Sequence, residues 1–214
     1  MRDSGRNTEA AILEAAKREF LTYGYDKASL RRIAREASVT TGAIYGYFSG
    51  KEALFEALTG PVESELTDVY ERVHQEFAKL PPDRQPEELM NVTEENIPWM
   101  IHYVYDHFDE FKLLLCCNAP GAAERFLNRL QRIEEKSCRD LIEAVRSMGR
   151  PVPELNPFII HVLCTDFFQQ LQEFVTHDVS REDAVECALT MGRFRHAGWI
   201  YLLQLEDMVQ PRKK

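Results

Sequence analysis

Between Ser29 and Phe48 the chain encodes two very short helices with almost nothing between them. Leu30, Ile33, Ala34 and Ala37 recur at the spacing that places apolar groups along one side of an α-helix, and Ile44 and Phe48 stand one turn apart on a second. Only Ser38 and Val39 break the pattern, with Ser29 placed to cap the first helix and Thr40 the second. Upstream, Ile12, Leu13, Ala16 and Phe20 form the stripe of a helix predicted over 8–23, and Gly24 sits where a C-terminal cap belongs. Three helices, the last two joined by a tight turn, describe a helix-turn-helix.

The second short helix carries Gly42 and Gly46, each costing about 1 kcal/mol relative to alanine. With Ile44 and Phe48 turned inward, both glycines face outward, flanked by Ala43 and Tyr45. Missing side chains let a helix backbone lie deep against a partner surface, and a DNA major groove is such a surface. Thr41 and Tyr45 can reach base edges or sugars, and Tyr47 offers a hydroxyl at the rim. Lys51 falls in the first turn of the next helix, where free amides also favour phosphate. Arg31, Arg32 and Arg35 lie opposite the buried stripe, and Arg31 and Arg32 approach from the preceding helix. The charge agrees. Residues 1–51 hold nine Lys/Arg against six Asp/Glu, a net +3, which leaves −12 for the rest of a chain whose total is −9. A basic head on an acidic body points to a localised polyanion contact.

Beyond the head, apolar residues keep helical spacing and no alternating strand is found. The chain reads as all-α: an N-terminal three-helix head over 1–51, then a larger helical body over 52–214, the fourth helix linking the two from about residue 50. Pro61 is expected to kink or restart that helix after Gly60, and Pro98 to bend its own. Further helices are predicted over 87–107, 109–117, 122–148, 156–177 and 181–206. The longest unbroken apolar run, Leu113 to Cys117, is far too short to span a bilayer, and no secretory signal opens the chain, so a cytoplasmic protein without membrane contact is expected. Five cysteines without CxxC spacing suggest reduced core thiols.

The body is rich in aromatic and sulfur-bearing side chains, and an apolar pocket with a few polar groups is the expected ligand site. Trp99, Met100, His102, Tyr103, Phe111, Cys116, Phe126 and Phe167 are its candidate lining, with Asn118 or His161 as further polar groups. Ala184, Ala188, Gly192 and Gly198 punctuate the last helix and permit close helix approach, inside one chain or between two. Two other readings use the same body: a metal-responsive regulator built on His102 and Asp106, or a redox-responsive one built on Cys116 and Cys117. A third is a helical enzyme or interaction module without DNA binding. No phosphate loop or nucleophile elbow is found, and no metal or cofactor is expected.

The stretch FLTYGYDKASLRRIAREASVTTGAIYGYFSGKEALFEAL resembles the DNA-binding head of the TetR/AcrR transcriptional regulators. Phe20, Gly24-Tyr25, Ser29, Ile33-Ala34, Ala37, Val39, Ile44-Tyr45, Tyr47-Phe48, Lys51-Glu52 and Leu54 carry the resemblance. Ser38 departs from it, since the family commonly has glycine there; a serine fits that turn at negative φ. The resemblance implies an all-helical homodimer, most simply a repressor, that binds a pseudo-palindromic operator in double-stranded DNA and releases it on binding a small-molecule effector. The two final helices would pair with those of the partner as a four-helix bundle. By position it assigns DNA contacts to Arg31, Thr41, Gly42, Ala43, Tyr45, Tyr47 and Lys51, with Ser29 near a phosphate.

Overall fold

A computed structural model describes residues 2–209, with side chains from Asn7 onward. Among these residues the chain is helical throughout, with no strand. The helices are α1 (Arg2–Lys27), α2 (Leu30–Glu36), α3 (Thr41–Tyr47), α4 (Lys51–Ala78), α5 (Gln85–Asp106), α6 (Phe108–Cys116), α7 (Ala122–Ser147), α8 (Pro157–Thr176) and α9 (Arg181–Leu203). Element boundaries follow the caps: Thr40 Oγ1 accepts from Ala43 N, Asn156 from Phe158 N and Ser180 from Asp183 N. The chain forms two compact units, residues up to Glu65 with His107–Phe126, and Leu66–Asp106 with residues from Leu127 onward. The first unit therefore takes in α6 as well as the head expected to end at residue 51.

In the first unit, Ile12, Ala16 and Phe20 of α1, Ile33 and Ala34 of α2, and Ile44 and Phe48 are buried together with Leu54 and Phe55 of α4. Phe20, Tyr25 and Phe55 interlock as three ring pairs 5.4–5.8 Å apart. Gly24 breaks α1 with φ 73° and ψ 167°, a backbone conformation that side chains disfavour. The turned chain then meets the end of α6, where Tyr25 N donates to the Cys117 carbonyl over 3.0 Å. Lys17 pairs with Glu110 of α6 at 3.1 Å.

Ser38 does not take the negative φ expected of it; its φ is 56°. The reason lies in the turn. Val39 N donates to Ala34 O at 2.9 Å and Ser38 N to Arg35 O at 3.2 Å, the paired bonds of a Schellman cap, which require a left-handed residue at this place. Serine occupies a glycine's conformation so that α3 can follow α2 after two residues.

In the second unit, α5 and α9 pack side by side, tied by Arg193–Glu94 at 3.2 Å and Arg181–Asp106 at 2.8 Å. Neither proline ends its helix: α4 runs through Pro61 and α5 through Pro98. Pro61 is exposed, so water can serve the carbonyl that loses its partner. The small residues of α9 divide. Ala184, Ala188 and Gly192 are buried in their own chain, whereas Gly198 is exposed. A Cβ on Gly192 would stand 2.8 Å from Ile97 Cδ1 and 2.9 Å from Thr93 Cγ2 of α5. Close approach at Gly192 thus serves packing within the protomer.

Candidate nucleic-acid interface and effector cavity

α3 turns its apolar positions inward and its glycines outward. Ile44 and Phe48 are buried, while Gly42, Tyr45, Gly46 and Tyr47 are exposed. Nothing stands within 4 Å of a Cβ built on Gly46, so the glycine answers no packing need within the chain. Thr41 and Ala43 are half-buried at the edges of the same face. Arg31 and Arg35 on α2 are exposed and make no ion pair among the described residues.

Three other residues expected at the DNA have work inside the head. Arg32 pairs with Glu19 at 2.5 Å, donates to the Lys27 carbonyl at 2.7 Å and lies 4.2 Å over the Tyr23 ring. Glu19 is 4% exposed and also accepts from Ser29 N at 2.8 Å. A buried carboxylate needs such partners, so Arg32 fastens α2 to α1. Ser29 marks the start of α2 without a side-chain cap bond. Lys51 donates to the carbonyls of Tyr25 and Asp26 at 2.7 and 3.2 Å and stands 4.5 Å over the Tyr25 ring. Two of its three donors thus bond the carbonyls that follow the Gly24 break.

The second unit forms a partly open cavity of about 120 Å³. Trp99, Met100 and Ile97 of α5, Leu163 and Phe167 of α8, and Trp199 of α9 give it an apolar wall. Its polar groups come from four helices: Tyr70 and His74 of α4, Thr93 and Asn96 of α5, Glu134 and Ser137 of α7, and Arg195 and His196 of α9. Tyr70 Oη donates to Glu134 Oε2, His74 Nε2 lies 3.2 Å from the same oxygen, and His74 Nδ1 lies 2.9 Å from Ser137 Oγ. Burial alone would raise the Glu134 carboxyl, but the bonds from His74 and Tyr70 hold it below its ordinary value. Burial pushes the Tyr70 phenol well up, so it stays a donor.

Of the residues expected to line a pocket, Trp99, Met100 and Phe167 do so. The other five do not. Phe111 and Phe126 are fully buried core of the first unit with ring centroids 6.0 Å apart, and Cys116 is half-buried at the end of α6. Tyr103 stacks on Trp99 at 5.4 Å, and His102 is exposed. Asn118 is exposed, and His161 sits on the surface 3.0 Å from Glu135.

Residues 12–58 match the profile of the bacterial regulatory proteins of the tetR family. The head belongs to the tetR family. Within it, the HTH-type transcriptional repressor Rv1474c of Mycobacterium tuberculosis is 49% identical over 47 residues, 22% of this chain and 25% of that protein. The A-factor receptor protein of Streptomyces griseus is 43% identical over 51 residues, 24% of this chain and 18% of its own. The chain thus spans a quarter or less of the length of these relatives. Over most of the chain the fold is similar to that of NalD, the secondary repressor of the MexAB-OprM multidrug efflux pump in Pseudomonas aeruginosa. The likeness has a TM-score of 0.59 at 22% identity, covering 92% of this chain and 98% of that one. The tetR family is one of regulators rather than enzymes. No helix among the described residues is long and apolar enough to cross a membrane.

The metal and redox readings meet other uses of the same atoms. Asp106 is taken by Arg181, and no cluster of three metal-binding side chains occurs among the described residues. Cys117 is buried, its thiol raised by burial and donating to the Phe20 carbonyl at 3.4 Å. It is a packing thiol, since reactivity needs a lowered pKa and access. Tyr70, His74, Glu134 and Arg195 were not singled out in the sequence. A signal existed for two of them: Tyr70 and His74 lie four apart beside the apolar stripe Leu66, Val73 and Phe77.

Proposed function

We propose that the protein is a ligand-responsive transcriptional repressor that binds a pseudo-palindromic DNA operator as a homodimer in the cytoplasm. The observation that carries this reading is the outward glycine face of α3, exposed and unused by the fold, in a head of the tetR family. Gly42 and Gly46 admit the α3 backbone to the major groove, Thr41, Ala43, Tyr45 and Tyr47 meet base edges and sugars, and Arg31 meets phosphate. Ser29 and the remaining donor of Lys51 add contacts at the backbone. The repressor relative favours repression over activation.

The dimer reading is supported by large apolar side chains that the chain leaves uncovered on its last two helices. Phe194 and Tyr201 on α9 are 71% and 74% exposed, and Phe158 on α8 is 67% exposed. Apolar surface of this kind marks an interface, and a two-fold axis through it would use one patch twice. The effector, small and largely apolar, would enter the cavity. α4 lines it with Tyr70 and His74 and carries Leu54 and Phe55 in the core of the head. A shift of α4 would change the separation of two recognition helices, which must lie about 34–36 Å apart to enter successive major grooves. Selection of bound sequences from a random DNA pool tests the reading. An inverted repeat with salt-sensitive affinity supports it, and a pool that yields no enriched sequence refutes it.

A further inference from the structure

The chemistry of the effector can be read from how the cavity serves its charges, an inference that rests on the cavity being the effector site. Two full charges stand in the wall, Glu134 and Arg195, and they are served unequally. Glu134 receives both Tyr70 and His74. Arg195 gives one long bond of 3.3 Å to the neutral Gln170 amide and lies 4.0 Å over the Phe167 ring. No ion pair joins it to any carboxylate among the described residues. A guanidinium has five N–H donors in a rigid fork, and a cation withdrawn from water is costly until an acceptor meets it. Burial accordingly pulls its pKa down, against the upward effect of Glu134. The fork matches a carboxylate with two parallel bonds, and the flat ring beneath the guanidinium holds it in place.

The rest of the wall sets the body of the ligand. Trp99, Met100 and Trp199 are apolar surfaces suited to a ring or short chain. The cavity volume of about 120 Å³ is close to that of an apolar cavity that holds benzene, on the order of 150 Å³. A second carboxylate on so small a body would share the cavity with Glu134. We infer that the effector is a small organic monoanion, a single carboxylate on a compact apolar body, with the carboxylate docked on Arg195.

The chain has two tryptophans, and both line the cavity, so intrinsic fluorescence reports its occupancy. The test titrates the full chain with two matched series, benzoate, benzamide and benzylamine, and hexanoate, hexanamide and hexylamine. At least one acid should bind saturably and more tightly than its neutral and cationic counterparts. Arg195→Gln should weaken that acid by about thirtyfold or more, the cost of truncating one partner of a buried charge pair, while leaving the amide unchanged. Arg195→Lys should recover part of the loss. Preference for an amine, equal binding of acid and amide, or binding of neither acid would overturn the inference. The wild-type series decides the question even if a variant fails to fold. Operator binding is measured separately without ligand: its absence defeats the repressor reading, whereas intact DNA binding with the wrong charge preference defeats this inference alone.

Discussion

Replacing Ser38 with glycine should stabilise the head. Ser38 holds φ 56° at the end of α2, and the left-handed conformation costs a residue with a Cβ about 1–2 kcal/mol. Glycine avoids that cost but gives up about 0.5–1 kcal/mol through the greater freedom of its unfolded chain. The two bonds of the turn, Val39 N to Ala34 O and Ser38 N to Arg35 O, are backbone bonds that the substitution keeps. The side chain is exposed, so no packing is lost. A net gain of about 0.5–1 kcal/mol is expected, with Ser38→Ala no more stable than wild type because alanine carries the same Cβ. Amide hydrogen exchange measures the effect locally. At about 1.4 kcal/mol per factor of ten, exchange of the Val39 N–H through local opening should slow by roughly two- to fivefold in Ser38→Gly. If Ser38→Gly exchanges faster than wild type, the serine side chain stabilises the turn; if Ser38→Ala slows exchange equally, the gain does not come from removing a Cβ; either result refutes the strain argument.

Gly46→Leu should abolish operator binding while the head keeps or gains stability, by up to about 1 kcal/mol from helix propensity; gel-shift and thermal melting are to be read together, and normal DNA binding would place the glycine away from the groove. Arg31→Ala should leave stability unchanged and lower the slope of log affinity against log salt by about one phosphate contact, whereas Arg32→Ala should destabilise the head by stranding Glu19, as a melting curve would reveal. Phe194→Glu should give a monomer of unchanged helicity, seen by sedimentation, since one substitution strikes a two-fold interface twice; a dimeric variant would move the interface elsewhere. The folded Glu134 carboxyl lies below its ordinary value of 4.5, so its contribution to stability is full above that value and is lost as pH falls through the lower folded value. The stability gap between wild type and Glu134→Gln should therefore be widest near neutrality and narrow in acid; a gap independent of pH would show that the carboxylate's charge is immaterial.

The head was legible because its signals are local. Ile44 and Phe48 stand one turn apart on a helix capped by its own Thr40, and that spacing alone turns Gly42 and Gly46 outward. Arg31 and Arg32 were not separable in this way. They are neighbours of equal charge, and Arg32 is drawn inward by Glu19, thirteen residues earlier on another helix. The cavity was the least legible part for the same reason. Tyr70, Glu134 and Arg195 come from three helices far apart in the chain, and no spacing links them. Aromatic density pointed instead to Phe111 and Phe126, which pack with each other. The small residues of α9 could mean contact within a chain or between chains, and the side chains of Ile97 and Thr93 decide for Gly192.

That glycine also limits how such a chain can change. Gly192 lines the cavity and lets α9 rest on α5 with no room for one further carbon. A Cβ there would press on Ile97 Cδ1 and Thr93 Cγ2, and these two α5 side chains, which also line the cavity, would have to shift. A larger residue at position 192 therefore reshapes the cavity wall through its neighbours on α5.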